Sequence, residues 1–265
     1  MMNLSKFTSS PWGFRRVPFE DQLKWLSNNG VYYYCGQFFA GEKGLFDPDM
    51  TEEEISAVLK LIESYGMKCA SFNVNGDFMM SDFETEITKC CAEIDKAAKF
   101  LPKVLIVFAG WQDRRDDAIY QQVSMSLKQV ARHAAKFNLT IALENHGGLT
   151  TTAEQVNRLL DGVNEPNIGL NYDPANFLMY GVDPLEALIG IKHPLVFTHF
   201  KSLKYVKSKK EYCRISEGKI DFVPILKHLK KIYGGFYAIE YEEPSDVFAG
   251  SKDDLDALRE MLDIT

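Results

Sequence analysis

The chain has 265 residues, 46% hydrophobic and 25% charged, with a formal net charge of −7. That balance fits one large globular domain with a sizeable core and argues against the basic stripe a nucleic-acid surface needs. No apolar stretch approaches bilayer-spanning length, the N-terminus lacks the apolar core of a secretion signal, and five cysteines without a Cys-x-x-Cys pair suit a reducing cytoplasm.

In chain order, short segments rich in Val, Ile, Phe and Tyr predict strands near 3–8, 31–36, 67–73, 103–109, 139–145, 167–173, 194–200 and 235–241. Amphipathic stretches lie between them. In 51–65, Ile55, Val58, Leu59 and Ile62 keep the spacing of one helix face, and Thr51 before three glutamates predicts the cap. Gly66 marks the stop. The longest helix is expected over 116–137, with Val123, Leu127, Val130 and Ala134 inward. Asp183-Pro184 places Pro at a first helical position. In 221–233, Phe222, Ile225, Leu226 and Leu229 repeat the helical spacing before Gly234, and a last helix is expected near 251–262. Eight strands, seven intervening helices and that final helix predict a (β/α)8 TIM barrel, one domain over 1–265. The alternative is an open doubly wound sheet, but its usual Gly-rich turn after the first strand is missing.

Four of these strands end on a residue that binds metals. Leu139–Glu144, Ile168–Asp173, Leu195–His199 and Phe236–Glu240 are apolar runs whose last residues are three carboxylates and an imidazole. A hard or borderline divalent cation takes such a set and keeps positions open for substrate. In a βα barrel, all four strand ends face one mouth, where active sites are built. One metal centre, and hence an enzyme, is the expectation.

Four motifs carry a family resemblance. They are Leu143-Glu144-Asn145-His146, Asn171-Tyr172-Asp173-Pro174-Ala175-Asn176, Thr198-His199-Phe200-Lys201 and Ala238-Ile239-Glu240-Tyr241-Glu242. Glu217-Gly218-Lys219-Ile220-Asp221-Phe222 adds a lead-in to a late helix. In order and spacing they resemble the sugar isomerase/epimerase family with a xylose-isomerase-like TIM barrel. That family's relatives include inosose isomerases and dehydratases, ketose 3-epimerases and the endonuclease IV group. The likeness covers roughly 100–265; the first third matches by βα rhythm.

The resemblance implies that Glu144, Asp173, His199 and Glu240 bind one divalent ion, typically Mn, Mg, Co or Zn. Such an ion holds adjacent carbonyl and hydroxyl oxygens of a sugar and stabilises the enediolate formed when the α-proton leaves. Glu144 and Glu240 would then remove and return that proton from opposite faces. The expected activity is isomerisation or epimerisation of a sugar, sugar phosphate or polyol ketone. The alternative is a lyase or dehydratase acting on a keto-sugar or 3-oxo-glycoside, with His146 as base.

Further positions follow. His146 lies two residues past Glu144 and shares its side of an extended chain, as base or as a group orienting Glu144. Asn176 stands where relatives often place a histidine; an amide bonds a hydroxyl but moves no proton. Lys201 is a candidate substrate contact, although Ser202 replaces the aspartate common beside it. Lys201, Lys204, Lys207, Lys209, Lys210 and Arg214 make the stretch after the seventh strand basic, and a solvated mobile loop is expected there, with Arg214 its candidate substrate contact. Trp12 and Trp111 are candidates to stack on a sugar face. Gln37 and Asn73, also at strand ends, are read as packing or loop residues.

Two other readings are set aside. A repair endonuclease would cluster three metals and need more mouth histidines than a chain with five His supplies. A non-catalytic binder would have no use for all four ligand types. The expected partner is a small carbohydrate, with no nucleic acid or membrane; a homo-oligomer would follow the relatives' habit, and the expected location is the cytoplasm.

Overall fold

Apolar runs too short for helices become strands, and the stretches with 3.6-residue spacing become the helices that cover them. The computed structural model of the chain describes residues 6–207 and 209–265. Residues 3–5 of the first expected strand lie outside the described residues. The strands are β1 (Phe7–Ser9), β2 (Tyr33–Gln37), β3 (Lys68–Asn73), β4 (Val104–Val107), β5 (Thr140–Glu144), β6 (Ile168–Tyr172), β7 (Leu195–Phe200), β8 (Ser202–Val206), β9 (Lys209–Cys213) and β10 (Tyr237–Ile239). The helices are α1 (Phe19–Asn28), α2 (Glu52–Ser64), α3 (Phe83–Ala97), α4 (Asp117–Ala135), α5 (Ala153–Val163), α6 (Pro174–Met179), α7 (Pro184–Gly190), α8 (Phe222–Ile232) and α9 (Val247–Ile264).

Among the described residues, eight strands form one sheet in the order β1-β10-β7-β6-β5-β4-β3-β2. Parallel pairing with helical connections puts every strand's carboxyl end on one edge. The two ends of that order approach each other: the Thr8 hydroxyl of β1 donates to the Tyr33 carbonyl of β2 at 2.9 Å. The result is a nearly closed barrel of eight parallel strands with helices between them.

The chain divides into two compact units, Met1–Ser71 with His199–Thr265, and Phe72–Thr198. The cuts fall inside β3 and β7. In the first unit, α2 begins on a capping box in which Thr51 and Glu54 satisfy each other's backbone N–H groups. Gly66, with φ +63°, ends it in the left-handed region where a Cβ is costly. The helix α9 starts four residues earlier than expected. A Cβ at Gly250 would run into the Tyr241 ring, so the glycine is what lets the first turn pack on Tyr241.

The stretch after β7 corrects the sequence reading. The expected mobile loop is an antiparallel hairpin, β8 with β9, in which Ser202 pairs with Cys213 and Val206 with Lys209. Leu203 and Cys213 are buried and anchor its base, while Tyr205, Val206, Lys209 and Lys210 toward its tip are exposed, so solvation marks the tip of a hairpin here.

In the second unit, α4 follows the sequence expectation, with Val123, Leu127, Val130 and Ala134 buried. After β6 there are two short helices. Asp173 caps α6 and Asp183 caps α7, each followed by Pro at the first helical position. No helix among the described residues is long and apolar enough to cross a membrane.

Candidate active site

Glu144 is the last residue of β5, in register with Asn171 of β6. The Asn171 amide donates to Glu144 Oε2 at 2.8 Å, and the Asn176 amide donates to Oε1 at 3.1 Å. Both oxygens of one buried carboxylate are therefore held by neutral N–H donors. Asp173 follows β6 directly. Its Oδ1 accepts from the backbone N–H groups of Ala175, at 2.8 Å, and Asn176, at 3.3 Å, as the cap of α6. The Asn145 side chain bonds the Asp173 backbone twice, accepting from its N–H at 2.8 Å and donating to its carbonyl at 2.9 Å. That adds a side-chain rung to the ladder and fixes where Asp173 points.

Glu240 follows β10, with its backbone N–H on the Phe200 carbonyl at 2.8 Å. The Ser10 hydroxyl donates to its Oε1 at 2.7 Å, and the Lys201 ammonium donates to its Oε2 at 2.7 Å. His199 Nδ1 lies 3.5 Å from Oε1. Lys201 also reaches Glu242 Oε1 at 2.7 Å and is only 2% exposed. Burial pushes the Glu240 carboxyl up, but the Lys201 and His199 charges and the Lys201 and Ser10 hydrogen bonds outweigh it, and the net pKa is well below the usual carboxylate range.

One donor atom from each of Glu144, Asp173, His199 and Glu240 lies within 4.8 Å of the others, and all four residues are buried. Two atoms ligating one divalent ion at ordinary oxygen distances are at most about 4–5 Å apart. Three carboxylates and an imidazole, brought this close and kept from water, are a donor set that fits a hard or borderline divalent cation.

The remaining predicted residues fall in distinct settings. His146 is half-buried, edge-on to Phe108 (centroids 5.5 Å, 78°) and to Trp111 (5.3 Å, 88°). Trp111 is 56% exposed, so its outer face is open to a ligand. The backbone beside His146 turns sharply at Gly147, with φ +87°, where a Cβ would strike the Tyr180 hydroxyl. Trp12 is half-buried, edge-on to Phe39 at 5.6 Å and with Arg15 over its ring at 4.7 Å. Gln37 and Asn73 are buried at the ends of β2 and β3.

Arg214 is engaged elsewhere. It donates to Asp253 and Asp246, each at 2.6 Å, and lies over the Tyr241 ring at 5.8 Å, which makes it a strut between β9 and α9. Lys204 of the basic stretch pairs with Glu217 at 2.9 Å. Sequence reasoning missed Ser10, Asn145, Asn171 and Glu242 as partners of the cluster. Asn171 and Glu242 each lie two residues from a member of the cluster, a spacing that shares a strand face and was available as a signal. Nothing in the sequence around Ser10 points to Glu240, 230 positions away.

The model of the xylose isomerase-like TIM barrel family matches residues 23–261. The chain belongs to that family. It is 23% identical to the rhizopine catabolism protein MocC of Rhizobium meliloti over 219 residues, 71% of this chain and 67% of the relative. It is 26% identical to the inosose dehydratase of Geobacillus kaustophilus over 148 residues, 49% of this chain and 48% of that enzyme, so the match spans about half the dehydratase's length. A solved D-tagatose 3-epimerase-like protein superposes with a TM-score of 0.79 at 18% identity, covering 98% of this chain and 97% of that one. The family's members thus include both epimerases and dehydratases.

Proposed function

We propose that the chain is a divalent-metal-dependent isomerase or epimerase that removes a proton next to the carbonyl of a sugar, sugar phosphate or polyol ketone. The observation that carries this reading is the pair of buried glutamates, Glu144 and Glu240, within one four-residue donor set. Glu144, Asp173, His199 and Glu240 would hold the ion, with Mn, Mg, Co or Zn as candidates. A bound divalent ion supplies Lewis acidity, drawing electron density from a carbonyl oxygen and acidifying the neighbouring C–H.

The chain's own residues supply the rest. Ser10 and Lys201 keep Glu240 ionised and aimed. Asn171 and Asn176 orient Glu144 with uncharged amide donors. Glu144 and Glu240 are the pair that would exchange the proton with carbon. Trp111 and Trp12 offer ring faces for a sugar's C–H surface. The substrate class is a small carbohydrate, handled by one barrel domain in the cytoplasm, without nucleic acid.

One observation favours a second reading, β-elimination from a keto-sugar. His146 is the one imidazole set into an aromatic wall beside Glu144 among the described residues, and a neutral imidazole takes an α-proton readily.

The test is incubation of metal-loaded protein with a panel of ketoses and inososes in heavy water. Deuterium at the carbon next to the carbonyl, without loss of a substituent, supports the first reading. An ultraviolet-absorbing enone supports the second. Neither outcome across the panel sinks both.

A further inference from the structure

Asn73 closes β3 and is 6% exposed, yet its Oδ1 has no hydrogen-bond partner among the described residues. A buried amide oxygen left unpaired is costly, and native chains keep few of them. The side chain's direction follows from its neighbour. Phe72 packs its ring on Phe100, 5.0 Å between centroids, and Phe100 belongs to the turn ending the α3 helical layer. Side chains alternate along a strand, so Asn73 faces the opposite way, toward the barrel interior.

It does so from a fixed backbone. The Val74 N–H bonds the Ile106 carbonyl at 3.0 Å. Asn75 is clamped to Glu93 of α3 through its backbone N–H, at 2.7 Å, and its side-chain amide, at 3.1 Å. Such support keeps an acceptor in place without a partner of its own. The next strands of the same unit carry Phe108, His146, Glu144 and Asn176 on the same sheet edge. Asn176 has the same property. Its amide N–H donates to Glu144, which fixes the orientation of the group, and its buried Oδ1 is likewise unpartnered among the described residues.

We propose that Asn73 is a specificity-determining residue whose amide oxygen accepts a hydrogen bond from a substrate hydroxyl, with Asn176 reading a second. The inference rests on the proposed carbohydrate chemistry and narrows it: a deoxy analogue lacking the hydroxyl that Asn73 reads is a poor substrate. A site built to bond a hydroxyl rejects the analogue without it, because the acceptor is then left buried and unpaired.

Two measurements on the full-length protein test this. Thermal unfolding of Asn73→Leu, similar in shape but without the amide, reads the orphaned oxygen independently of turnover. The expected result is a midpoint raised by about 2–4 °C. A lowered midpoint means that the amide serves the fold, and it overturns the proposal. The second measurement compares ketohexoses with their monodeoxy analogues by deuterium uptake. Wild type should prefer the parent sugar about tenfold or more at one hydroxyl, and Asn73→Leu and Asn73→Ala should erase that preference by raising KM for the parent about tenfold. Unchanged discrimination in a folded variant overturns it. If no ketohexose exchanges with wild type, the isomerase reading fails on that panel, and the unfolding midpoint still decides whether Asn73 is kept for a ligand.

Discussion

The Lys201 ammonium sits 2.7 Å from Glu240 Oε2, and both groups are buried. Removing one partner of a buried pair leaves an uncompensated charge, typically at a cost of about 3–5 kcal/mol. Lys201→Met should therefore destabilise the metal-free protein strongly. A divalent ion bound at Glu240, as proposed, would supply the lost positive charge, so added Mn or Mg should recover a large part of the deficit. Urea unfolding of wild type and variant, with chelator and with metal, checks this. An equal deficit in both conditions would show that the ion does not reach Glu240.

Metal should also stabilise the wild type. The donor set brings three carboxylates within 4.8 Å in a buried place, an arrangement of like charges that favours a cation. At a free metal concentration of 100 times Kd, the gain is about 2.7 kcal/mol, which for a chain of this size is a shift of several degrees in Tm. Asp173→Asn and His199→Ala should lose most of that shift. Scanning calorimetry across a metal titration measures it.

His146 separates the two reaction classes. Under the isomerase reading, Glu144→Gln and Glu240→Gln lower the rate of solvent deuterium uptake by about 100-fold or more, whereas His146→Ala stays within about tenfold of wild type. Under the lyase reading, His146→Ala carries the large loss and the enone product disappears with it. Rates from nuclear magnetic resonance and ultraviolet absorbance on the same samples distinguish the two.

Asp254 predicts a pH effect away from the cluster. It is buried on α9, where its Oδ1 accepts the Ile215 N–H at 2.7 Å. Burial pushes its carboxyl up to about 7, against the pull of the Ile215 N–H and Arg214, and with Asp253 and Glu217 adding to the rise. A folded pKa above the unfolded value of about 3.9 means that folding takes up a proton between the two, so this group costs stability as pH rises from about 4 to 7. Asp254→Asn keeps the acceptor and cannot ionise. It should be more stable than wild type by about 1–3 kcal/mol at pH 8, with the difference vanishing near pH 4. Glu240 has the opposite sign: its lowered pKa gives stability that is present above the ordinary glutamate value and lost as the pH falls through its folded value. Denaturant unfolding at pH 4, 6 and 8 reads the Asp254 effect.

Trp111 tests the ring-stacking role. Because the side chain is 56% exposed, Trp111→Ala should leave stability within about 0.5 kcal/mol. The expected loss is in KM, with kcat little changed. A collapse of stability would place the ring in the fold's support.

The sequence by itself determined the alternation of elements and the ends of the strands that carry the four-residue cluster. Strand period, helix period and cap chemistry are local: they made α2 and α4 legible, and they placed Glu144, Asp173, His199 and Glu240 at equivalent strand ends. Only the tertiary structure decided what touches those four. Ser10 meets Glu240 from the far end of the chain, Asn145 binds the Asp173 backbone across two strands, and Arg214 and Lys201 are spent on carboxylates. The hairpin of β8 and β9 escaped notice because its exposed, lysine-rich tip carries the composition of a solvated loop. Periodicity is written along the chain, whereas a hydrogen-bond partner depends on where parallel strands place distant residues side by side, and no local pattern encodes that distance.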